Sequence, residues 1–274
     1  MRALLVCSFV ATLSVTVSSA PAEDPATSTS AGDLAAAVKR LAEAPNYAWT
    51  TELRVVNSSI PRMANGATTP TEGASERDGF TFINHKVGEA WQPAAKLGGH
   101  EVTRDPEGNW ISWDEAFAHL GTSGVANVRV KAAPSDPSHP AQHWNEVGTG
   151  RLAPVAELGQ LLPKARHVVR TGDGLTFDLD VEDALAILPF YTPVARRPNG
   201  NAAPMPTGVA ATVTLWLSGG LPERYVVRVE GKLIDRRGDN VSVSRTANVT
   251  ISGIGTTKVD LPESAKQKLR NLAR

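Results

Sequence analysis

Residues 209–252 constrain the fold more than any other part of the chain. Val213, Leu215 and Leu217 alternate with Thr212, Thr214 and Trp216, and Tyr225, Val227, Val229 and Leu233 alternate with Arg228, Glu230 and Lys232. A third stretch sets Val241, Val243, Ala247, Val249 and Ile251 against Ser242, Ser244, Thr246, Asn248, Thr250 and Ser252. Side chains of a strand point alternately to its two faces, so a period of two dictates a sheet with one apolar and one polar side. Gly219-Gly220 and Arg237-Gly238-Asp239-Asn240 supply the turns, and an antiparallel meander is predicted. Its register is expected to put Leu215, Val227 and Val249 on one face, because a slip of one residue inverts a whole strand. Arg245 is the one charge on the apolar side. It marks a bulge, pairs with an acid or reaches the mouth of a cavity, and the bulge is the plainest reading.

Elsewhere the elements are shorter. Leu34, Val38 and Leu41 repeat at i, i+4 and i+7 behind Asp33, which predicts an amphipathic helix over residues 33–42 ending at Pro45-Asn46. Tyr47, Trp49, Thr51, Leu53 and Val55 then share one side of a strand. Residues 57–79, rich in Gly, Thr, Ser, Asn and Pro, read as a long loop. Residues 80–83 and 88–91 read as short strands, and residues 101–112 as a strand, a turn at Asp105-Pro106-Glu107-Gly108, and a strand. Asp114 is expected to cap a short helix through Leu120, and residues 132–140, with Pro134, Pro137 and Pro140, to form a loop. A helix from Pro154 to Leu162, a hairpin over residues 165–180, a helix over residues 182–188, a loop over residues 191–208 and a helix from about Pro262 to Leu272 complete the chain. The fold class is α+β, with residues 33–274 as one domain.

The chemistry of sites is sparse. There is no G-x-S-x-G, H-E-x-x-H, P-loop or G-x-G-x-x-G, and Gly148-Thr149-Gly150 lacks a third glycine. His139 and His143, with Asp136 nearby, stand at metal-ligand spacing, but Pro137 and Pro140 oppose the helix such a site needs, so no metal is expected. His167 is expected to be a partly buried strand histidine beside Ala165 and Val169. Asp178, Asp180, Glu182 and Asp183 read as a polar strand face and an acidic first helical turn, where the helix dipole favours them, before they read as an acid/base or calcium set. Asn57, Asn240 and Asn248 lie in sequons, and no glycan is assigned. Lys and Arg number 28 and Asp and Glu 28, so no charge surplus is available to hold nucleic acid. No cofactor and no catalytic set are expected.

The start of the chain carries an address. Arg2, the apolar run from Ala3 to Val17 and the small-residue segment Ser18-Ser19-Ala20-Pro21-Ala22 form a secretory signal pattern. A spanning helix needs about 20 apolar residues, more than this run offers. Cleavage is placed between Ala22 and Glu23, because a cut after Ala20 would put Pro21 behind the scissile bond. Residues 23–32 then form a flexible leader. The only Cys, Cys7, leaves with the signal peptide, and too few apolar residues precede it for a lipid-attachment motif. The exported chain has no disulfide, yet at this length it buries enough surface without one. A periplasmic or extracellular location is expected, with no transmembrane segment in the mature chain.

Several segments together resemble a known family. They are the signal pattern, the helix leading into Tyr47-Ala48-Trp49-Thr50-Thr51-Glu52, residues 213–233, residues 246–262 ending Gly253-Ile254-Gly255-Thr256-Thr257-Lys258-Val259-Asp260-Leu261-Pro262, and Val102-Thr103-Arg104-Asp105-Pro106-Glu107-Gly108-Asn109-Trp110. Over residues 33–272 the chain resembles the lipoprotein-carrier (LolA-like) superfamily of exported proteins. The resemblance implies a strongly curved antiparallel sheet, an open half-barrel wrapping one or more helices around an apolar cavity. It implies a non-enzymatic carrier or sensor for a lipid or other apolar ligand, with Trp49, Leu53, Leu215, Val227 and Val249 as the ligand-facing wall. The alternative is that the same face only packs on the helices at 33–42 and 262–272, leaving a structural or protein-interaction module of the envelope with no ligand cavity. An enzyme would need a cleft joining His167 to a nucleophile.

Overall fold

The structure, a computed structural model, describes residues 25–87, 89–112, 114–116, 146–191, 204–235 and 237–274. Helix α1 (Pro25–Glu43) leads into β1 (Asn46–Asn57), and β2 (Ala67–Glu76), β3 (Phe80–Val87), β4 (Ala90–Leu97), β5 (His100–Arg104) and β6 (Trp110–Ser112) follow. After α2 (Pro154–Leu161) come β7 (Arg166–Thr171), β8 (Gly174–Asp178), α3 (Val181–Ile187), β9 (Thr207–Ser218), β10 (Leu221–Ile234), β11 (Asn240–Ser252) and α4 (Glu263–Leu272). The strands form one antiparallel sheet in the order β6-β5-β4-β3-β2-β1-β11-β10-β9-β8-β7. Two meanders, β1 to β6 and β7 to β11, are joined where the first strand meets the last, from Ala48 opposite Ser252 to Asn57 opposite Val243. The end strands β6 and β7 are not neighbours, so the sheet is open.

The C-terminal meander has the predicted register. Leu215 lies opposite Tyr225, and Tyr225 opposite Val249, while Val213, Val227 and Ala247 form the next row. All six side chains are buried. Thr214, Arg228 and Thr250 take the other, outer face. Bulges fall in β10 between Pro222 and Arg224 and between Glu230 and Lys232, and each adds local twist. None falls at Arg245, which pairs in regular register with Val55 and Val229. The bulge expected there is corrected, and the reason for a charge on that face lies beneath the sheet.

The sheet carries a core on each face. On the inner side, α1 supplies Leu34, Val38 and Leu41 and α2 supplies Leu158 and Leu161, which pack with Trp49, Phe177, Leu215, Tyr225, Val227 and Val249. On the outer side of β3 to β6, Phe80, Ala95, Val102 and Trp110 pack with Leu261, Ala265 and Leu269 from the C-terminal segment. The alternative in which the helices at both ends of the chain share one face is therefore corrected: α4 lies against β4, β5 and β6 on the reverse side. Helix α4 can sit there because Phe80, Phe82 and Leu97 make the outer face of these strands apolar, whereas the outer face of β9 to β11 is polar.

Four local expectations are also corrected. Residues 57–79 contain strand β2, paired on both sides with β1 and β3. Its inner positions are Thr71, Gly73 and Ser75, so no apolar alternation announces it. In the expected strand at 88–91, Glu89 is in a turn and Ala90 and Trp91 begin β4, while residue 88 lies outside the described residues. Helix α1 starts at Pro25, inside the expected leader, since extending a formed helix avoids a new nucleation step and proline suits a first turn. His167 is exposed, at φ 49°, inside a bulge of edge strand β7 that turns Val168 inward. With Arg166 and Arg170, this bulge makes β7 a poor template for another strand. No helix of the described residues is long and apolar enough to cross a membrane.

Candidate ligand-binding interior

The inner face changes character from one side of the sheet to the other. Under β8 to β11 it is apolar, because the inward positions of those strands carry Val, Leu, Phe, Tyr, Ala and Ile, with Pro222 and Gly231 on β10 and Arg245 as the one charge. The sequence-predicted wall is brought together there. Trp49 faces Ile251 across β1 and β11, Leu53 faces Ala247, and Val249 faces Thr51 on one side and Tyr225 on the other. Trp49 is 1% exposed, Leu215 0%, Val227 1% and Val249 2%, and Leu53 is half-buried against them. Side chains of α1, α2 and the residues 146–152 fill the space beneath. Open depressions of about 370 and 380 Å³ lie instead on the polar outer side, between Thr212, Thr214, Val226, Arg228 and Glu230, and around Trp216 and Arg224.

Arg245 finds its role in this interior. Its Nη1 donates to the carbonyl of Val147 at 3.1 Å. Glu157 of α2, 1% exposed, accepts from the backbone N–H of Gly148 at 2.5 Å and from the Tyr225 hydroxyl. Burial raises the Glu157 carboxyl above its ordinary range, with the two hydrogen bonds and Arg245 opposing it. Burial and the Glu157 charge raise the Tyr225 phenol well above its own range. Burial lowers Arg245, with Glu157 opposing. Buried polar groups survive when they are hydrogen-bonded, and the bonds of Glu157 to Tyr225 and Gly148 and of Arg245 to Val147 tie α2 and residues 146–152 to β10 and β11. Gly148 and Gly150 run at φ 69° and 76°, a conformation glycine tolerates best. A β-carbon on Gly150 would stand 3.1 Å from Thr51, so this segment lies directly on the sheet.

Under β2 to β5 the inner face turns largely polar on either side of a row that holds Gly73, Ile83 and Ala94. Thr51, Thr71 and His85 form one row across β1, β2 and β3, while Ser75, Thr81, Lys96 and Glu101 form another across β2 to β5. Lys96 Nζ lies 3.2 Å from Glu101 and 3.1 Å from Glu146, and Arg151 Nη2 lies 2.8 Å from Glu101. His85 accepts from or donates to Thr71 Oγ1 through Nδ1 at 3.3 Å. Burial first, then the positive charge of Arg151, lowers its pKa to about 4, so the imidazole is neutral at pH 7. The sequence reading missed this group. The signal was the alternation of Thr81, Ile83 and His85 with Phe80 and Phe82, visible only once β3 is extended past Ile83.

The other residues singled out do not converge. Asp178 accepts from Thr212 at 3.1 Å, Asp180 pairs with Arg166 at 3.0 Å and Asp183 with Lys164. Among the described residues no three His, Cys, Asp or Glu side chains are grouped to hold a metal ion. Asn57 is buried and accepts from Ser59, and Asn248 is exposed on the outer face. Asp136, His139, His143, Leu120, the loop at 132–140, most of the loop at 191–208 and the cleavage pair Ala22 and Glu23 lie outside the described residues.

No protein-family model matches the chain, and no curated protein matches its sequence. Solved structures of similar outline include LprF from Mycobacterium bovis, 11% identical over 86% of this chain and 97% of that one, at a TM-score of 0.37. A LolA superfamily protein from Nitrosomonas europaea is 10% identical over 85% and 94%, at 0.32. A DUF1329 family protein from Desulfovibrio piger is 9% identical over 87% and 96%, also at 0.32. The lipoprotein-carrier superfamily named from the sequence is thus represented among them.

Proposed function

We propose that this is an exported, non-enzymatic binding protein that holds a lipid or another apolar molecule against the inner face of its sheet. The observation that carries this is how the apolar face is covered. Helices and residues 146–152 close it, not strand pairing around a barrel, so the cover can part from the sheet without breaking a ladder of backbone hydrogen bonds. Trp49, Leu53, Leu215, Val227 and Val249 are the wall such a ligand would meet, and it would take the place of side chains from α1 and residues 146–152. The signal pattern at residues 1–22, with cleavage between Ala22 and Glu23, supports export to the periplasm or beyond. Purifying the mature protein from its own envelope and weighing it in native mass spectra tests the proposal. A retained apolar mass is expected, together with an N-terminus at Glu23, and an intact Met1 would sink the export reading.

A second reading has its own observation. Trp49, Leu215, Val227 and Val249 are between 0 and 2% exposed, which suits a solid core in a structural or protein-interaction module. Absence of any bound apolar mass, with no uptake of an apolar probe by the wild type, would leave that reading alone.

A further inference from the structure

Of the buried polar atoms on the inner face that have no hydrogen-bond partner among the described residues, three belong to one patch: Trp49 Nε1, Thr51 Oγ1 and His85 Nε2. They stand close together in the sheet. Trp49 and Thr51 are two apart on β1 and so share a face. Thr51 lies opposite Thr71, and Thr71 opposite His85. Trp49 lies opposite Gly73, where a β-carbon would come within 2.1 Å of the indole, so the ring lies over the bare backbone of β2. Thr51 and Trp49 are each 1% exposed. Thr71, the hydroxyl opposite Thr51, bonds to His85 Nδ1 and makes no bond to Thr51. A buried donor or acceptor without a partner costs roughly 1–3 kcal/mol, and three neighbouring ones on one patch mark a place where a partner is brought from outside.

We infer that this patch binds the uncharged hydrogen-bonding end, a hydroxyl above all, of an amphipathic ligand whose chain lies along the apolar face toward Val249 and Leu215. This rests on the reading that the interior takes an apolar ligand. The donor set fits a hydroxyl, which accepts from the indole N–H and donates to an imidazole or threonine oxygen. A charged end fits less well. The nearby cations Lys96 and Arg151 are matched by Glu101 and Glu146, so no surplus charge repays the desolvation of a buried ion. The backbone of Gly150 covers Thr51, and the ligand reaches the patch when residues 146–152 lift. The tail then runs along the cross-strand row from Thr51 on β1 through Val249 on β11 and Tyr225 on β10 to Leu215 on β9.

The experiment incubates the exported protein with phosphatidylcholine vesicles doped with radiolabelled hexadecan-1-ol, hexadecanoate or hexadecane, and counts label after re-isolation. Retention of the alcohol is expected to exceed that of the other two about three- to tenfold, the worth of one net neutral hydrogen bond. Thr51→Val, which keeps the shape and removes the hydroxyl, is expected to bring alcohol retention down to the alkane level without lowering the thermal midpoint. If Thr51→Val does not fold, Trp49→Phe removes the indole N–H and is expected to reduce retention in the same sense. Equal retention of alcohol and alkane, or preference for hexadecanoate, overturns the inference and leaves the apolar binder standing. A lower midpoint in Thr51→Val with unchanged alcohol retention means a buried water satisfies the patch, and also overturns it. No retention of any of the three by the wild type overturns the binding proposal itself.

Discussion

One sheet is folded into two regions that use its faces in opposite ways. Under β8 to β11 the apolar side is the inner one, and α1, α2 and residues 146–152 fill it. In β3 to β6 the apolar side is the outer one, covered by α4, while the inner side carries His85, Lys96 and Glu101. Strand β1 is the seam, with Trp49 buried in the first core and Thr51 facing the polar row. The difference shows how one continuous ladder of hydrogen bonds serves two cores. Backbone pairing does not care which face is apolar, so each meander is free to choose its own covering helices. An interior graded from apolar to polar is the result.

The largest effect that would test this division is expected in the inner core. Phe177→Ala should cost about 3–5 kcal/mol and Leu215→Ala about 2–5 kcal/mol in chemical unfolding, through lost burial and a residual cavity. A distinctly smaller loss at Leu215 would mean that its side chain faces a ligand space more than a packed core. On the outer core, Leu269→Ala should cost about 2–3 kcal/mol, because α4 covers one side of short strands. Hydrogen exchange should then show lost protection confined to β4, β5, β6 and α4. Loss spread evenly to β9 to β11 would show that the two cores unfold as one.

At the seam, Gly73→Ala should destabilise by about 1–3 kcal/mol, since the new methyl group would enter the Trp49 indole and overpacking has that cost. Its measurable sign is a shifted tryptophan emission together with a lower midpoint. No change in either would mean that the indole does not rest on β2.

The smallest effects are in pH dependence, and they have opposite signs in the two regions. Glu157 has a raised pKa in the folded protein, so the folded state binds more protons between the unfolded and folded values. Its contribution is complete below the ordinary carboxylate pKa and is lost as pH rises through the folded one. His85 is held at about 4, below its unfolded 6.5, so its contribution is complete above pH 6.5 and is lost as pH falls toward 4. Thermal midpoints measured from pH 4 to 8 should lose their high-pH decline in Glu157→Gln and their low-pH decline in His85→Gln. A variant with the wild-type profile would remove that group from the account.

How legible each piece was in the sequence follows from where its specification lies. The C-terminal meander was legible to the register, because each strand carries its own alternation and its own turns. The buried wall of Trp49, Leu215, Val227 and Val249 followed from the same pattern. Strand β2 was not legible, since Thr71, Gly73 and Ser75 look like loop residues until Trp49 occupies the space over Gly73. His167 was assigned to the wrong side because a bulge at an edge costs one residue of register, which no local composition announces. Arg245 stood out as a charge on an apolar face, but its carbonyl partner at Val147 is 98 residues away in the chain, and the carboxyl of Glu157 is also far off.

The sequence alone thus determined the α+β class, the antiparallel meander, its inward residues, the helices at 154–161 and 263–272 and the lack of a net charge. These are local: periodicity of two or 3.6, turn glycines and prolines act within a few residues and need no partner to be read. Tertiary structure alone decided which face each helix covers, that β1 joins β11 to make one open sheet of two meanders, and that Glu157, Tyr225 and Arg245 meet beneath it. Those choices depend on contacts between residues far apart in the chain, where burial of complementary surfaces, and not the propensity of any one segment, sets the energy.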